Sequence, residues 1–509
     1  MLYSIAKLAV PTLIKKATKK FTNRKNHQKS LEEKTKEKKI DPNENLCITN
    51  YDENYYSGVA KFVKNLLTEH VFDHIDAEEM KKFPTKDSQN KDYSAIVVAN
   101  HFSRQDFMYP ILQSYLNGVR PFCIAAGYDV MQGMFAKVMR LCRAFPVPRG
   151  NEPRKEKFEK FIKLKKNLED MIKSFENIWQ FGWKGRNYTA EEMPLETGLI
   201  DLEIKIAQEG HKIQMYPVWI GYSRIIEDEI FEALQKGHCK GNVVKTEVAD
   251  AEILKKKIFY QKNVQMYVHV GDPIDVNEFC REYAAAAEQR KISAVERKAA
   301  AKALELTQSD NQDISEKIPP EKQKIPTAGE ELCRKIKAAW EDLYMPMPIE
   351  IFCYAVKQAA IKKYGQFNSE GKTEMILDKN EIFMQIWDAK EKILSNRNSK
   401  NKYLKNIDMD PSTLIDEAMP HLYSNTSMLK RLFPTLIDRI ITWPLKTFAK
   451  KDSSRKTLKY GPKLNEAERD IIRPEGSSYV VNNKFVVDFY ANMIKNYVEW
   501  DKTKDKIRE

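Results

Sequence analysis

The chain has 509 residues, of which 42% are hydrophobic and 31% are charged, and its formal net charge is +13. A chain of this length can form about two to four domains and bury a sizeable core. Its seven cysteines show no Cys-x-x-Cys spacing, which argues against a disulfide framework or a zinc site and favours a reducing compartment. No run reaches the roughly 18 apolar residues that a membrane span requires, so we expect a protein that lies on a membrane or is soluble.

Positive charge is concentrated at the N-terminus. Residues 1–41 hold twelve Lys or Arg against four Asp or Glu, which suggests an anionic lipid, a nucleic acid or an acidic protein as partner. Residues 1–21 can form an amphipathic helix with lysines opposite an apolar face, which suits a bilayer interface. An import presequence and a helix packed on the protein's own core are the alternatives. Residues 1–45 are therefore interpreted as a basic amphipathic segment and its linker.

Strand and helix signals alternate in the first half of the chain. Residues 46–90 predict a helical cover segment, and residues 91–282 predict an α/β domain with a mostly parallel central sheet flanked by helices. The predicted strands of this domain are 95–99, 121–126, 144–147, 213–220 and 264–270. Its predicted helices are 106–117, 131–142, 154–177 and 194–209.

The composition changes after residue 282. Residues 283–330 are rich in Ala, Lys and Glu and then in polar residues and proline, which predicts an exposed helix followed by a disordered linker. Residues 331–509 predict an additional, mainly helical C-terminal domain. Within it, the run 432–445 combines aliphatic and aromatic residues with nearby lysines, which suits either a membrane interface or a buried helix.

The most informative stretch is 100–106, which reads Asn-His-Phe-Ser-Arg-Gln-Asp between a predicted strand and a predicted helix. His101 and Asp106 are five positions apart, so they would not face each other in a continuous helix, whereas they can meet across a turn that opens one. A histidine oriented by a carboxylate is the base half of a catalytic triad. The alternative is a surface histidine beside an aspartate that caps the helix.

Three later stretches complete a pattern with this one. Residues 144–151 form an apolar run that ends in Pro-Arg-Gly-Asn, residues 183–186 read Trp-Lys-Gly-Arg, and residues 216–222 form an apolar strand that contains a proline. In this order the four stretches resemble the sequence blocks of the glycerolipid acyltransferase superfamily, whose members acylate glycerol 3-phosphate and lysophosphatidic acid. The resemblance extends over residues 91–280 and is fullest in the first and fourth blocks.

The resemblance implies how the site would work. His101 would act as general base and Asp106 would fix its tautomer, while the acceptor hydroxyl attacks the acyl thioester directly, without a serine nucleophile. No metal or other cofactor is implied. The residues that match substrate-binding positions of the family are Arg149, Asn151, Gly185, Arg186 and Pro217. Arginine suits a phosphate, glycine lets the backbone approach a ligand, and a proline in a strand predicts an edge position or a bulge.

The implied function is phospholipid biosynthesis at a membrane surface. The donor would be acyl-CoA or acyl carrier protein, the acceptor a phosphate-bearing glycerolipid, and the protein a peripheral one on the cytoplasmic face of an anionic membrane. The chain departs from the family at Pro148, where aspartate is usual, and at Lys184, where glutamate is expected. The alternative is therefore a catalytically altered or inactive lipid-binding or scaffolding protein. A nucleic-acid-binding protein would fit the net charge, but no recognition motif is present, so nucleic acid is not an expected partner.

Overall fold

A computed structural model describes the chain in separate stretches. They are 53–61, 72–85, 92–106, 115–127, 142–148, 154–225, 264–290, 326–369, 374–396, 407–423 and 471–499, with single gaps at 55 and 104 and with isolated residues such as Asp228, Phe231 and Tyr403. The basic segment 1–45, the predicted disordered linker and the run 432–445 lie outside the described residues, as do most of the predicted helices 106–117 and 131–142. Of the helices in the described stretches, none has the length and apolar character needed to cross a bilayer.

A sheet of eight strands forms the centre of the first half of the chain. The strands are β1 (Phe72–Asp76), β2 (Ser94–Ala99), β3 (Phe122–Gly127), β4 (Ala144–Val147), β5 (Asn177–Phe181), β6 (Ile213–Tyr222), β7 (Val264–Val270) and β8 (Ile274–Asp275). They lie in the order β1-β7-β6-β2-β5-β3-β4, and β8 pairs with β6. Among these described strands, five pairings are parallel and two are antiparallel. The predicted α/β fold with a mostly parallel sheet is confirmed.

The predicted strands agree closely with the observed ones because each is a short apolar run. All six residues of β2 are buried, as expected for a central strand of a parallel sheet covered on both faces. The predicted bounds 144–147 and 264–270 coincide with β4 and β7, and the other three strands differ from their predictions by one or two residues at an end.

Three strands of the sheet were not predicted, and they are β1, β5 and the two-residue β8. β1 lies in the segment 46–90, so the prediction of a helical cover holds for residues 53–61 but is wrong at 72–76, which extend the sheet beside β7. β5 begins at Asn177, whereas the predicted helix 154–177 ends at Lys173 in the structure. The polar residues of β5 conceal it in the sequence, although all but the last residue of the strand is buried.

The position of Pro217 corrects the prediction of an edge strand. Pro217 lies in β6, an interior strand, and pairs with Val98 of β2 on one side. On its other side β6 changes partner from β8 to β7, and the connecting residue Gly271 donates its N–H to the Pro217 carbonyl at 2.9 Å. The missing N–H of proline therefore falls at the break between two partner strands, where no ladder bond is required of it.

Three helices described after β4 accompany the sheet. They are α1 (Arg154–Lys173), α2 (Thr197–Gln208) and α3 (276–290). α2 corresponds to the predicted helix 194–209 and buries one apolar face, including Ile200, Ile204 and Ala207. α3 begins before the predicted boundary at residue 283, so the Ala-rich stretch continues a helix of the α/β domain.

The second half of the chain is mainly helical, as predicted, and also contains a small sheet. Its helices are α4 (Ala328–Leu343), α5 (Pro348–Tyr364), α6 (Lys379–Asn396), α7 (Pro411–Leu422) and α8 (Lys484–Val498). The antiparallel strands β9 (Met375–Asp378), β10 (Ile472–Glu475) and β11 (Ser478–Val481) lie in the order β10-β11-β9. This sheet was not predicted, because its four-residue strands are too short for a clear alternating pattern.

The two halves share one hydrophobic core. Trp340 of α4 donates its indole N–H to the Val98 carbonyl of β2 at 3.1 Å. Beyond β6, the buried Arg224 pairs with Asp228 at 2.8 Å, and the hydroxyl of Tyr490 on α8 donates to the same carboxylate at 2.9 Å. The C-terminal helices therefore pack directly against the α/β domain.

Candidate active site

A cavity of about 390 Å³ opens at the carboxyl ends of several parallel strands, where binding sites of such sheets are expected. Strands β2 to β5 contribute residues from one side, and α1 and α2 contribute from the other. The described residues that line it are Val98, His101, Ile124, Ala125, Ala126, Gly127, Val147, Pro148, Phe161, Leu164, Gln180, Phe181, Gly182, Trp183, Lys184, Gly185, Glu196, Gly198, Leu199 and Ile200. The lining is largely apolar, with a few polar groups near His101.

Asn100 fixes the chain as it leaves β2. Its side-chain amide donates to the Ile220 carbonyl at 2.9 Å, and its side-chain oxygen accepts from the Ile220 N–H at 2.7 Å. The side-chain amide thus extends the β2–β6 hydrogen-bond ladder by one residue and satisfies both the N–H and the carbonyl of Ile220. This buried contact sets the point at which the chain turns, and His101 follows it immediately.

The structure brings His101 and Asp106 together across this turn. His101 Nδ1 lies 3.0 Å from Asp106 Oδ2, and the same oxygen accepts from the N–H groups of Phe102 and Ser103 at 2.7 and 2.8 Å. Tyr222 donates to the other oxygen, Oδ1, at 2.5 Å. Four donors therefore converge on one buried carboxylate, which compensates its negative charge and holds it in a single orientation.

The remaining residues of the turn support the same geometry. The Ser103 hydroxyl accepts from the Gln105 N–H at 3.1 Å, so Ser103 stabilises the turn. The ring of His101 stacks on Phe181 with centroids 3.9 Å apart. With Nδ1 protonated and donating to Asp106, the lone pair that can take up a proton is on Nε2. The imidazole is thus fixed on one edge and one face, and it borders the cavity.

The third sequence block, residues 183–186, follows β5, and the chain just after it contacts the backbone of His101. Asn187 donates its N–H to the His101 carbonyl at 2.8 Å. Gly185 has φ +100°, a conformation that favours glycine, and it lines the cavity beside Lys184. Arg186 places its guanidinium over the ring of Tyr188, 4.9 Å from the centroid.

The predicted binding residues are only partly brought together. Gly185 lines the cavity, whereas Arg186 and Pro217 are absent from its described lining. Arg149 and Asn151 lie outside the described residues, although Val147 and Pro148 just before them are part of the cavity wall. The first three blocks therefore meet at one cavity, and the fourth contributes Tyr222 to the carboxylate of the first.

Glu196 is a site residue that sequence reasoning missed. It is the only acidic residue in the described lining of the cavity. Its N–H donates to the Gly182 carbonyl at 2.8 Å, which brings it back to the end of β5. A Cβ atom at position 182 would lie 2.5 Å from the ring of Trp340. The close packing of Trp340 against the backbone at this position therefore requires glycine. An acidic residue thus lines the same cavity as Lys184, twelve positions further along the chain.

A buried polar pair lies beneath the cavity. Gln180 of β5 donates from its side-chain amide to Glu203 Oε2 of α2 at 3.1 Å, and both residues are almost fully buried. Burial raises the pKa of the Glu203 carboxyl from its ordinary value of 4.5 to about 8, against the opposing effect of the Gln180 hydrogen bond. Glu203 is therefore mainly neutral at neutral pH, and its ionisation should oppose folding.

We expect Glu203→Gln to flatten the pH dependence of stability. Because the folded state holds this proton more tightly than the unfolded chain, the stabilisation is complete below about pH 4.5 and is lost as the pH rises through about 8. At pH 9 the variant should exceed the wild type in free energy of unfolding by an amount on the order of a few kcal/mol. Urea denaturation at pH 6 and pH 9 measures this, with Glu209→Gln at the exposed end of α2 as control. Identical pH slopes in wild type and Glu203→Gln would contradict the assignment.

Comparison with known proteins agrees with the geometry. The family model described as Acyltransferase, that of the glycerolipid acyltransferases, matches residues 75–221, less than a third of the chain. The matched segment runs from the end of β1 to the end of β6, and so includes His101, Asp106 and most of the described cavity wall. No curated protein sequence matches the chain.

Proposed function

We propose that this protein, whose residues 75–221 form a domain of the glycerolipid acyltransferase family, transfers a fatty acyl group from an acyl thioester to a hydroxyl of a glycerol-phosphate lipid precursor. The family domain supports acyl transfer in general. The donor, acyl-CoA or acyl carrier protein, and the phosphate-bearing acceptor are our finer proposal. Since such acceptors and products are amphiphiles, we propose that the reaction belongs to phospholipid synthesis at a membrane surface, on its cytoplasmic face.

One observation carries this proposal. A histidine held by a buried carboxylate borders a cavity whose wall is mainly apolar. The cavity volume of about 390 Å³ lies within the range of small-molecule sites. An apolar cavity suits an acyl chain, and a general base at its mouth suits a reaction at the carboxyl end of that chain. A surface histidine beside an aspartate that caps a helix would not need to border such a cavity.

The residues suggest the following steps. His101 Nε2 takes the proton of the acceptor hydroxyl as its oxygen attacks the thioester carbonyl, forming the new C–O bond. Asp106 stabilises the imidazolium that results and keeps Nδ1 protonated. As the C–S bond breaks, the proton passes from Nε2 to the departing sulfur, which leaves as a thiol. The histidine is then ready for another cycle, and no acyl-enzyme is formed.

Cations at the end of β5 suit the acceptor phosphate. Lys184 lines the cavity. Arg186 follows the cavity residue Gly185 in sequence, and Arg149 and Asn151, outside the described residues, follow the cavity residue Pro148. A guanidinium can bind phosphate through two parallel hydrogen bonds. Gly185 allows the backbone to approach the same group. We propose that these residues orient the acceptor and that Glu196 takes the role expected of a glutamate at position 184.

We expect Arg186→Ala to raise the KM for the acceptor by about tenfold to hundredfold, since a hydrogen bond to a charged group is typically worth about 1.5–3 kcal/mol. The KM for the donor should change little, because the phosphate belongs to the acceptor. Steady-state kinetics with each substrate varied in turn gives both values. Arg281→Ala, which removes an exposed arginine from α3, serves as the matched control. If neither KM moves in Arg186→Ala, this arginine does not hold the phosphate.

A lipid-binding or scaffolding protein that has lost catalysis is the second candidate, and the lysine at position 184 favours it. The two readings differ in turnover. The purified full-length protein is incubated with acyl-CoA or acyl carrier protein and with glycerol 3-phosphate, lysophosphatidic acid or, as a control without phosphate, monoacylglycerol. An ester product with the phosphate-bearing acceptors supports the enzyme. Binding of the lipids without any product from either donor supports the scaffold.

A further inference from the structure

The outer face of α1 exposes large apolar side chains. Phe158 is 65% exposed, Ile162 is 53% exposed and Phe161 is 40% exposed. Residues three and four positions apart are neighbours on a helix surface, so these three form one patch near the start of α1. An isolated exposed apolar residue is common, but a cluster of three large ones on one helix marks an interaction surface.

The patch is not a part of the core that has come loose. Further along α1, Leu164, Leu168 and Met171 are buried and pack on the domain. The helix is therefore anchored by its inner face, while Phe158 and Ile162 point outward. α1 is therefore held in place without Phe158 and Ile162, and these two side chains are available for contact with a partner.

Cations surround the patch. Lys155 lies three positions before Phe158 and Lys166 lies four positions after Ile162, and both lysines are exposed. In the described part of the chain, neither lysine forms a salt bridge. Over its whole length α1 carries eight Lys or Arg against four Asp or Glu. Lysines that flank exposed aromatic and aliphatic residues are the arrangement of a helix lying in an anionic membrane interface.

The patch also adjoins the candidate active site. Phe161 and Leu164 of α1 line the cavity that contains His101. Phe161 therefore belongs to both the cavity wall and the exposed patch, so the two are continuous on α1. A lipid that leaves a bilayer against this patch would need to travel only around one helix to reach the histidine.

A second exposed apolar cluster provides a contrast. On α6, Met384 is 60% exposed and Trp387 is 50% exposed. α6 carries three lysines and three acidic residues, so it has no net attraction for an anionic surface, and none of its residues is in the described cavity lining. Apolar exposure alone therefore does not distinguish α1; the combination with positive charge and the cavity does.

We propose that α1 docks on an anionic bilayer, with Phe158, Phe161 and Ile162 in the interface and with Lys155 and Lys166 against the lipid head groups. This inference rests on the proposed function, because docking places a lipid-modifying site at its substrates. It adds to that function by naming the surface that faces the membrane. Docking would turn the mouth of the cavity toward the substrates. It also adds to any binding by residues 1–21, since two contacts of one molecule with the same surface multiply their effects.

The test is co-sedimentation of the full-length protein with vesicles of phosphatidylcholine alone or mixed with phosphatidylglycerol. Phe158→Ser with Ile162→Ser should lower the partition coefficient by about tenfold or more. Lys155→Ala with Lys166→Ala should lower it about tenfold to thirtyfold on anionic vesicles at low salt and far less on neutral ones. Met384→Ser with Trp387→Ser on α6 is the matched control and should bind as the wild type does.

Several outcomes separate the docking from the chemistry. His101→Ala should bind vesicles fully, and Phe158→Ser with Ile162→Ser should retain acyl transfer to the water-soluble acceptor glycerol 3-phosphate. Unchanged vesicle binding by both α1 variants overturns the docking proposal while leaving acyl transfer intact. An equal loss in the α6 control also overturns it. Loss of a homo-oligomer in the α1 variants, without loss of vesicle binding, would mean that the patch contacts a second copy of the chain.

Discussion

Replacing His101 by alanine is expected to lower kcat for acyl transfer by about 10² to 10⁴, because the hydroxyl would then lose its proposed general base. The folded structure should persist, since the imidazole lies at the cavity wall, with 14% of its side chain exposed, and the apolar core beneath it is unchanged. Initial rates at saturating donor and acceptor measure the effect, and urea denaturation checks the fold. His211→Ala removes a histidine outside the described cavity lining and should leave the rate unaltered.

A His101→Ala variant with the wild-type rate would remove this residue from the mechanism. A variant that is inactive but also unfolded would say nothing about catalysis, so His101→Gln provides a second measurement. Glutamine keeps a side chain of similar reach at the Asp106 carboxylate but cannot take up a proton from the acceptor. It should therefore be as slow as the alanine variant even if it is more stable.

Asp106→Asn is expected to lower kcat by on the order of 10³ to 10⁴ with little change in either KM. The carboxylate accepts from four groups, among them His101 Nδ1 and the Tyr222 hydroxyl. An amide can offer only one oxygen, and its NH₂ group would face these donors. Near His101 it favours the tautomer with the proton on Nε2, which cannot act as a base toward the acceptor. Asp106 lies outside the described cavity lining, so substrate binding should persist.

The split between kcat and KM tests this positioning role. Tyr222→Phe removes one of the four donors and leaves the carboxylate, so its loss of rate should be much smaller than that of Asp106→Asn. Asp272→Asn, at an exposed residue after β7, is the control for the change of charge. If Asp106→Asn retains full kcat, or if Tyr222→Phe is as slow as Asp106→Asn, the carboxylate does not act through the histidine.

The sequence predicted the turn between His101 and Asp106 because both residues lie within one short stretch after a clear apolar strand. Tyr222 could not be predicted as their partner. It is 116 positions from Asp106, and only the pairing of β6 with β2 brings it to the carboxylate. Phe181 was missed for a related reason, since β5 itself was not recognised.

The polar residues of β5 explain that omission. Asn177 and Gln180 interrupt the apolar pattern that identifies a buried strand. In the structure, Asn177 donates to the Arg120 carbonyl at 3.1 Å and Gln180 to Glu203 at 3.1 Å. Both side-chain amides therefore donate to groups that are distant in sequence, and a local pattern contains no sign of these partners.

Glu196 shows the same limit at the binding surface. Sequence comparison with the family looks for an acidic residue at position 184 and finds lysine. The chain instead returns to the end of β5 through the loop before α2, which carries Glu196 into the cavity. The proximity of Glu196 to the end of β5 is visible only in the folded structure, because the two are separated in the sequence. The cavity lining therefore contains an acidic residue beside Lys184 even though the sequence block itself contains none.

In the proposed mechanism, His101 drives transfer of an acyl group to a hydroxyl of the acceptor. The most direct measurement follows a labelled acyl chain from its thioester into product, with the released thiol quantified in the same sample, for wild type and His101→Ala. The wild type should form an ester of the phosphate-bearing acceptor with one thiol released per ester, and His101→Ala should form little of either. Free fatty acid as the only wild-type product, no product from acyl-CoA or acyl carrier protein, or equal ester formation by the two proteins would contradict the account.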